Sequence, residues 1–229
     1  MWSEYLTRPS PLSHLESRLP GFDAMESLQD KLDKSLVKSE FDKTDFLPQS
    51  SLDELITIGN IDAELRYAGL SSALSYDIYR NSRRVFAILS YMGMVGVIEW
   101  LYQEGFSDQY LPVDLASDGD HQHVISRSND EHDEVLFSSF AQRPWDRVKR
   151  RDFFNKQWLV LSPVFATLGQ ELNLNDRCPL PFISVERNVK RGHFSVLHRV
   201  KIHHAHLQES GSSRVSLISV QERWFLLTT

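Results

Sequence analysis

The sequence holds a single cysteine, Cys178, in 229 residues, so neither an intramolecular disulfide nor a cysteine-built zinc site can form. That fits a reducing, intracellular compartment, cytoplasmic or nuclear. Long hydrophobic runs are missing. The longest, residues 85–98, stops at Glu99 and contains Gly93 and Gly96, short of the ~20 residues a bilayer span needs. The opening MWSEYLTRPSPL lacks a basic stretch followed by an apolar one, so no secretory signal is expected. The expectation is a soluble protein with no membrane partner. No G-x-S-x-G, Walker A or Rossmann fingerprint occurs either, so no standard nucleophile elbow, phosphate loop or dinucleotide turn is on offer.

What is present suffices for a packed core: 41% apolar residues, with 13 Phe and 5 Trp. The length suggests one domain with an appendage, or two small domains. The net charge of −6 hides an asymmetry, because residues 1–142 balance to −13 and residues 143–229 to +7. Either the acidic part docks on the basic part, or the basic part meets an anionic partner, or the drift has no consequence. Overall acidity and the lack of a nucleic-acid-binding motif argue against nucleic acid.

Residues 1–24 are rich in Ser and Pro and read as a flexible arm. Leu28, Leu32 and Leu36 then fall at helical spacing. Ser51 and Glu54 have capping-box spacing, and Asn60 is a candidate cap for a helix running to about Gly69. A Ser-rich helix near 71–82 leads into the strongest element, one helix over 83–102. Val85, Ile88, Leu89, Met92 and Val95 line one side, the other side is also mostly apolar, and Gly105 closes it. Residues 143–166 start basic, with Arg147, Lys149, Arg150 and Arg151 read as a solvated helix start. Phe153, Phe154, Trp158, Val160, Leu161 and Phe165 then supply core, and Pro163 interrupts the helix.

Residues 114–135 are acidic and without period, and read as a loop. Asp118, Asp120, His121, His123, Asp130, His132 and Asp133 invite a metal, but none has HExxH or EF-hand spacing. His193, His198, His203, His204 and His206 crowd the last strand region. His198, His204 and His206 would share a strand face, which could hold zinc or nickel weakly. Without a supporting carboxylate or cysteine, an exposed imidazole-rich strand is the better reading, and no metal site is assigned. From Leu180 the pattern turns to strands, 180–185 and 196–202, joined through NVKRGHF.

Four stretches, RRVFAILSYMG (83–93), DQYLP (108–112), FFNKQWLVLSPVF (153–165) and LPFISVERNVKRGHFSVLHRVKIHHAH (180–206), together resemble a family of fungal kinase-like proteins. In that family a helical N-terminal region precedes a protein-kinase domain. The resemblance implies a mainly α fold: a helical domain over 25–170, then a short β-hairpin fragment, 180–206, like the first strands of a kinase N-lobe, and a divergent tail, 207–229. In a kinase, a glycine-rich turn between those strands brings backbone amides over the ATP phosphates. The resemblance places the motif's second glycine on Gly192, its aromatic on Phe194, its third glycine on Ser195 and the adenine-covering valine on Leu197. Lys190 stands in place of the first glycine.

The kinase lysine that pairs the phosphates stands one strand later, and this sequence has no lysine after Lys201, which sits on the second strand. No H-R-D or D-F-G occurs. The resemblance therefore implies a non-catalytic, truncated member, with no cofactor, acting as a protein-interaction or regulatory module. The alternative is a diverged serine/threonine kinase using ATP and magnesium, its catalytic part missing here. The hairpin is expected to leave the second strand with an unpaired edge and the tail after His206 loosely attached. VSLISV (215–220) is the candidate for a makeshift third strand.

Overall fold

The computed structural model describes residues 26–115, 124–127, 134–165, 174–191, 196–208 and 224–228. The expected N-terminal arm lies outside them. Among the described residues are α1 (Leu28–Lys34), α2 (Gln49–Leu55), α3 (Ile58–Tyr67), α4 (Ser75–Asn81), α5 (Arg83–Tyr91), α6 (Ile98–Gln103) and α7 (Arg147–Lys156). Three small antiparallel sheets accompany them. β1 (Val37–Lys38) pairs with β2 (Asp45–Phe46), and β3 (Val113–Leu115), β4 (Val124–Arg127) and β5 (Glu134–Phe137) form a meander. β6 (Phe182–Arg191), β7 (Val196–Ile202) and β8 (Trp224–Thr228) form another. The chain is helix-rich, as its periodicity implies, with small antiparallel sheets of which the sequence reading expected only the β6–β7 hairpin.

Helix α5 is the centre. Every residue from Val85 to Ser90 is buried, which is where an element apolar on all sides belongs. Its first amides are satisfied from outside the helix. Ser82 gives no side-chain cap, and the Asp108 carboxylate accepts instead from the Arg84 N–H (3.0 Å) and the Val85 N–H (2.9 Å). The single helix expected over 83–102 is broken. Gly93 takes φ +64°, its N–H donates to Ser90 O (3.0 Å), and the Met94 N–H donates to Leu89 O (2.8 Å). This paired closure ends a helix on a left-handed residue, which glycine adopts at no steric cost. The chain resumes as a short 3-10 turn, Val95–Val97, and then α6. Gly105 closes α6 in the same way, as expected.

The caps differ from the expected ones because both helices begin earlier in the chain than those cap residues. α2 begins at Gln49, ahead of Ser51, so the capping box does not form. Thr57, not Asn60, caps α3: its Oγ1 accepts from the Asn60 N–H (3.3 Å), while Asn60 Nδ2 donates back to Leu55 O (2.8 Å).

The stretch 114–135 is not simply a loop. Parts of it form β4 and β5, with Val124 opposite Phe137, in strands too short to show alternation in the sequence. Phe137 belongs to a ring cluster with Phe106, Tyr110, Phe140, Trp145 and Phe153, whose touching pairs include centroid distances of 4.7 Å and 5.2 Å. Arg150, expected in a solvated helix start, is buried instead. It is 7% exposed, and Nη1 donates to the carbonyls of Phe140 (3.1 Å) and Trp145 (3.3 Å). Its place on the inner face of α7 puts its charge among backbone acceptors rather than in water.

The C-terminal hairpin is stitched to the helical body. The Glu40 N–H donates to Phe182 O (2.7 Å), and the Leu180 N–H donates to the Asp42 carboxylate (2.9 Å). Ser162 Oγ donates to Pro179 O (2.8 Å), and Phe165 bridges Leu207. Phe182, Val200 and Ile202 form a second apolar cluster with Phe41 and Phe165 packed on it.

Candidate functional site

The four stretches quoted for the resemblance meet one another in space. Asp108, of the second, caps the helix formed by the first. Gln157, of the third, is fully buried and brackets Val113 just past the second: Oε1 accepts from the Val113 N–H (2.8 Å) and Nε2 donates to Val113 O (2.9 Å). Pro163, at the end of the third, accepts from His206 of the fourth.

Of the expected loop residues, Gly192, Phe194 and Ser195 lie outside the described residues. Leu197 lies on β7, between Lys190 of β6 and Thr228 of β8. Lys201, on the same strand, faces Ser184 on one side and Trp224 on the other. The edge expected to be open on β7 is occupied by β8. The strand that takes it is Trp224–Thr228, further along than VSLISV (215–220), which lies outside the described residues.

The histidines do not share a strand face. β7 ends at Ile202, and His204–His206 form a 3-10 turn that points His206 inward and leaves His204 exposed. His206 is 1% exposed. Its Nδ1–H donates to Pro163 O (2.9 Å), and its Nε2 accepts from the Gln49 N–H (3.2 Å). With both nitrogens engaged, the ring is a neutral connector. Burial holds its pKa below the usual histidine value, with the charge of Arg84 and of His204 adding to it. His203, stacked on His204 at 4.5 Å, is pushed down to about 4 by burial and by its two histidine neighbours. Among the described residues no group of three or more His, Cys, Asp or Glu is placed to hold a metal. His193 and the acidic residues between 118 and 133 lie outside the described residues. Cys178 is half-buried and donates to Leu161 O (3.1 Å), and burial raises its thiol to about 11, so no reactive thiolate forms there.

A groove of about 690 Å³ opens between α7 and the segment leading into β6, lined among others by Arg151, Phe154, Asn155, Trp158 and Arg177. Arg177 lies over the Phe154 ring at 4.6 Å. Sequence reasoning gave Phe154 and Trp158 to the core and passed over Arg177. The available signal was the spacing of Arg151, Phe154, Asn155 and Trp158, which is i, i+3, i+4, i+7 along one helical face.

Compared with protein-family models, curated protein sequences and solved structures, the chain gives no match to any.

Proposed function

We propose that this chain is a non-catalytic relative of the fungal kinase-like proteins, mainly α, with a helical body that serves as a protein-interaction or regulatory module. The observation that carries the reading is β8. In a kinase N-lobe the strand after the glycine-loop hairpin bears the lysine that holds the phosphates and pairs with a helix glutamate. Here the strand in that place, antiparallel to β7, is Trp-Phe-Leu-Leu-Thr, with no lysine. Without that cation the charge of the transferred phosphoryl group lacks the partner that the family's third strand supplies. The hairpin's role is then structural, its base sealed against the helical body through Phe182 and His206. The same reading places the protein inside the cell, cytoplasmic or nuclear, with a protein partner and no nucleic acid.

The rival reading is a diverged serine/threonine kinase that binds ATP and magnesium at the Gly192 loop. A titration with a fluorescent ATP analogue and magnesium separates the two, together with transfer of radiolabelled phosphate to a generic acceptor. No saturable binding and no transfer above a heat-killed control are expected. Binding in the micromolar range that is lost in Gly192→Asp would overturn the proposal.

A further inference from the structure

We infer that the groove between α7 and the segment before β6 binds an acidic peptide that carries an apolar side chain. This rests on the partner-binding reading above for the class of ligand and adds where, and with what chemistry, the partner docks. The groove brings two guanidinium groups, Arg151 and Arg177, to an aromatic floor of Phe154 and Trp158. Elsewhere on the helical body the cations that face a nearby acid are largely paired with it. Lys34 meets Glu26, Lys43 meets Glu40, Arg66 meets Asp62, Arg83 meets Asp53, and Lys156 meets Asp152. Among the described residues no carboxylate pairs with Arg151 or Arg177, and these two are the cations that line the groove.

Arg177 is also preorganised. Its guanidinium carbon lies over the Phe154 ring, 4.6 Å from the centroid, a contact that restrains the side chain at the groove. A stacked, planar fork suits a carboxylate better than a free lysine does, because less rotamer entropy is lost on binding. The acid at the groove is Asp45, and it is neutralised by Lys38 at 3.6 Å, which leaves the groove's balance positive. Phe154, Trp158, Leu115, Leu159 and Pro179 offer apolar contact beneath the charges. The ligand that matches both features has carboxylates at its rim and an aliphatic or aromatic residue between them.

The test uses the full chain and three fluorescein-labelled octapeptides read by anisotropy. One alternates Glu and Asp around a central Leu-Phe, one keeps the acids but replaces Leu-Phe with Ser-Ser, and one replaces every acid with Lys. The acidic apolar peptide should bind saturably, at least tenfold tighter than the Ser-Ser peptide, with no binding of the Lys peptide. Arg151→Glu and Arg177→Glu should each weaken it at least fivefold and together abolish it. Both side chains are exposed, so folding should be unaffected, and circular dichroism of each variant checks this. Equal binding of the two acidic peptides, no binding at all, binding indifferent to both reversals, or displacement by ATP at the peptide's own concentration would overturn the inference. Those outcomes are separate from the nucleotide result, where Gly192→Asp is the diagnostic variant. The groove assignment and the non-catalytic reading can therefore fail independently.

Discussion

The N–H of Gln49 donates to Nε2 of His206 at 3.2 Å, across 157 residues of sequence. Gln49 is the first residue of α2, and Pro48 before it has no side-chain acceptor. An imidazole from the far end of the chain thus does the work that a serine or aspartate usually does at a helix start. It also ties the base of the β6–β8 sheet to the helical body, with Phe46 edge-on to the ring at 5.3 Å.

A pH dependence follows. Protonation would turn Nε2 from acceptor to donor, facing an N–H at the positive end of a helix, with Arg84, His203 and His204 as the charged or titratable neighbours. The folded-state pKa lies below the unfolded value of ~6.5, so the unfolded chain takes up protons first as pH falls. The stability is complete above that value and is lost from about pH 6.5 downward, with His203, at about 4, acting in the same direction. Urea midpoints measured at pH 7.5 and pH 5 should drop in the parent chain. In His206→Gln the midpoint at pH 7.5 should already be lower and the drop smaller. An equal drop in both proteins would remove His206 from the explanation.

Gly93 distinguishes a broken helix from a continuous one by sign. At φ +64° the closure of α5 needs a left-handed residue, while an added Cβ would meet only Gln29 Oε1 at 3.8 Å. Gly93→Ala should therefore cost about 1–2 kcal/mol from backbone strain alone. In an unbroken helix over 83–102 the same change would stabilise by about 0.5–1 kcal/mol. A denaturant melt reads the sign directly.

Adjacent arginines on α7 should behave in opposite ways. Arg150→Leu leaves the Phe140 and Trp145 carbonyls without their donor and should destabilise by about 1–3 kcal/mol for each group left unpaired inside. Arg151→Leu, at an exposed position, should change stability by no more than about 0.5 kcal/mol. Thermal melts of the two variants beside the parent check this. A neutral Arg150 variant would mean that the guanidinium is solvated.

Leu89 is fully buried in α5. Leu89→Asp places a charge without a partner in the core and should unfold the helical body, since such burial costs several kcal/mol against a total of about 5–15. A parent-like circular dichroism spectrum and melt would put the helix on the surface.

Strand β8 should resist exchange. Five residue pairs join it to β7, from Leu197 with Thr228 to Lys201 with Trp224. In hydrogen exchange read by mass spectrometry, a peptide covering 224–228 should be protected on the time scale of β7. Exchange as fast as in an unfolded control would return β7 to the open-edged strand that its sequence suggests.

Local pattern carried part of this protein by itself. The apolar spacing of Val85, Ile88 and Leu89 gave a buried helix, the alternation across 196–202 gave β7, and Gly105 gave a helix end, because each depends on neighbours within a turn or a strand pair. The pattern of Arg151 and Phe154 on one face of α7, continued by Trp158 in the turn that follows, was also in the sequence, but a face becomes a groove only when Arg177 is brought across it. Tertiary structure decided the rest. Gly93 reads as an interior residue until Leu89 and Ser90 offer carbonyls to the amides after the break. Arg150 reads as a solvent charge until Phe140 and Trp145 turn their carbonyls inward. Nothing near Gln49 or His206 in the sequence foretells their bond, since a hydrogen-bonding group carries no record of which distant partner will reach it, and only the packing of the whole chain supplies that address.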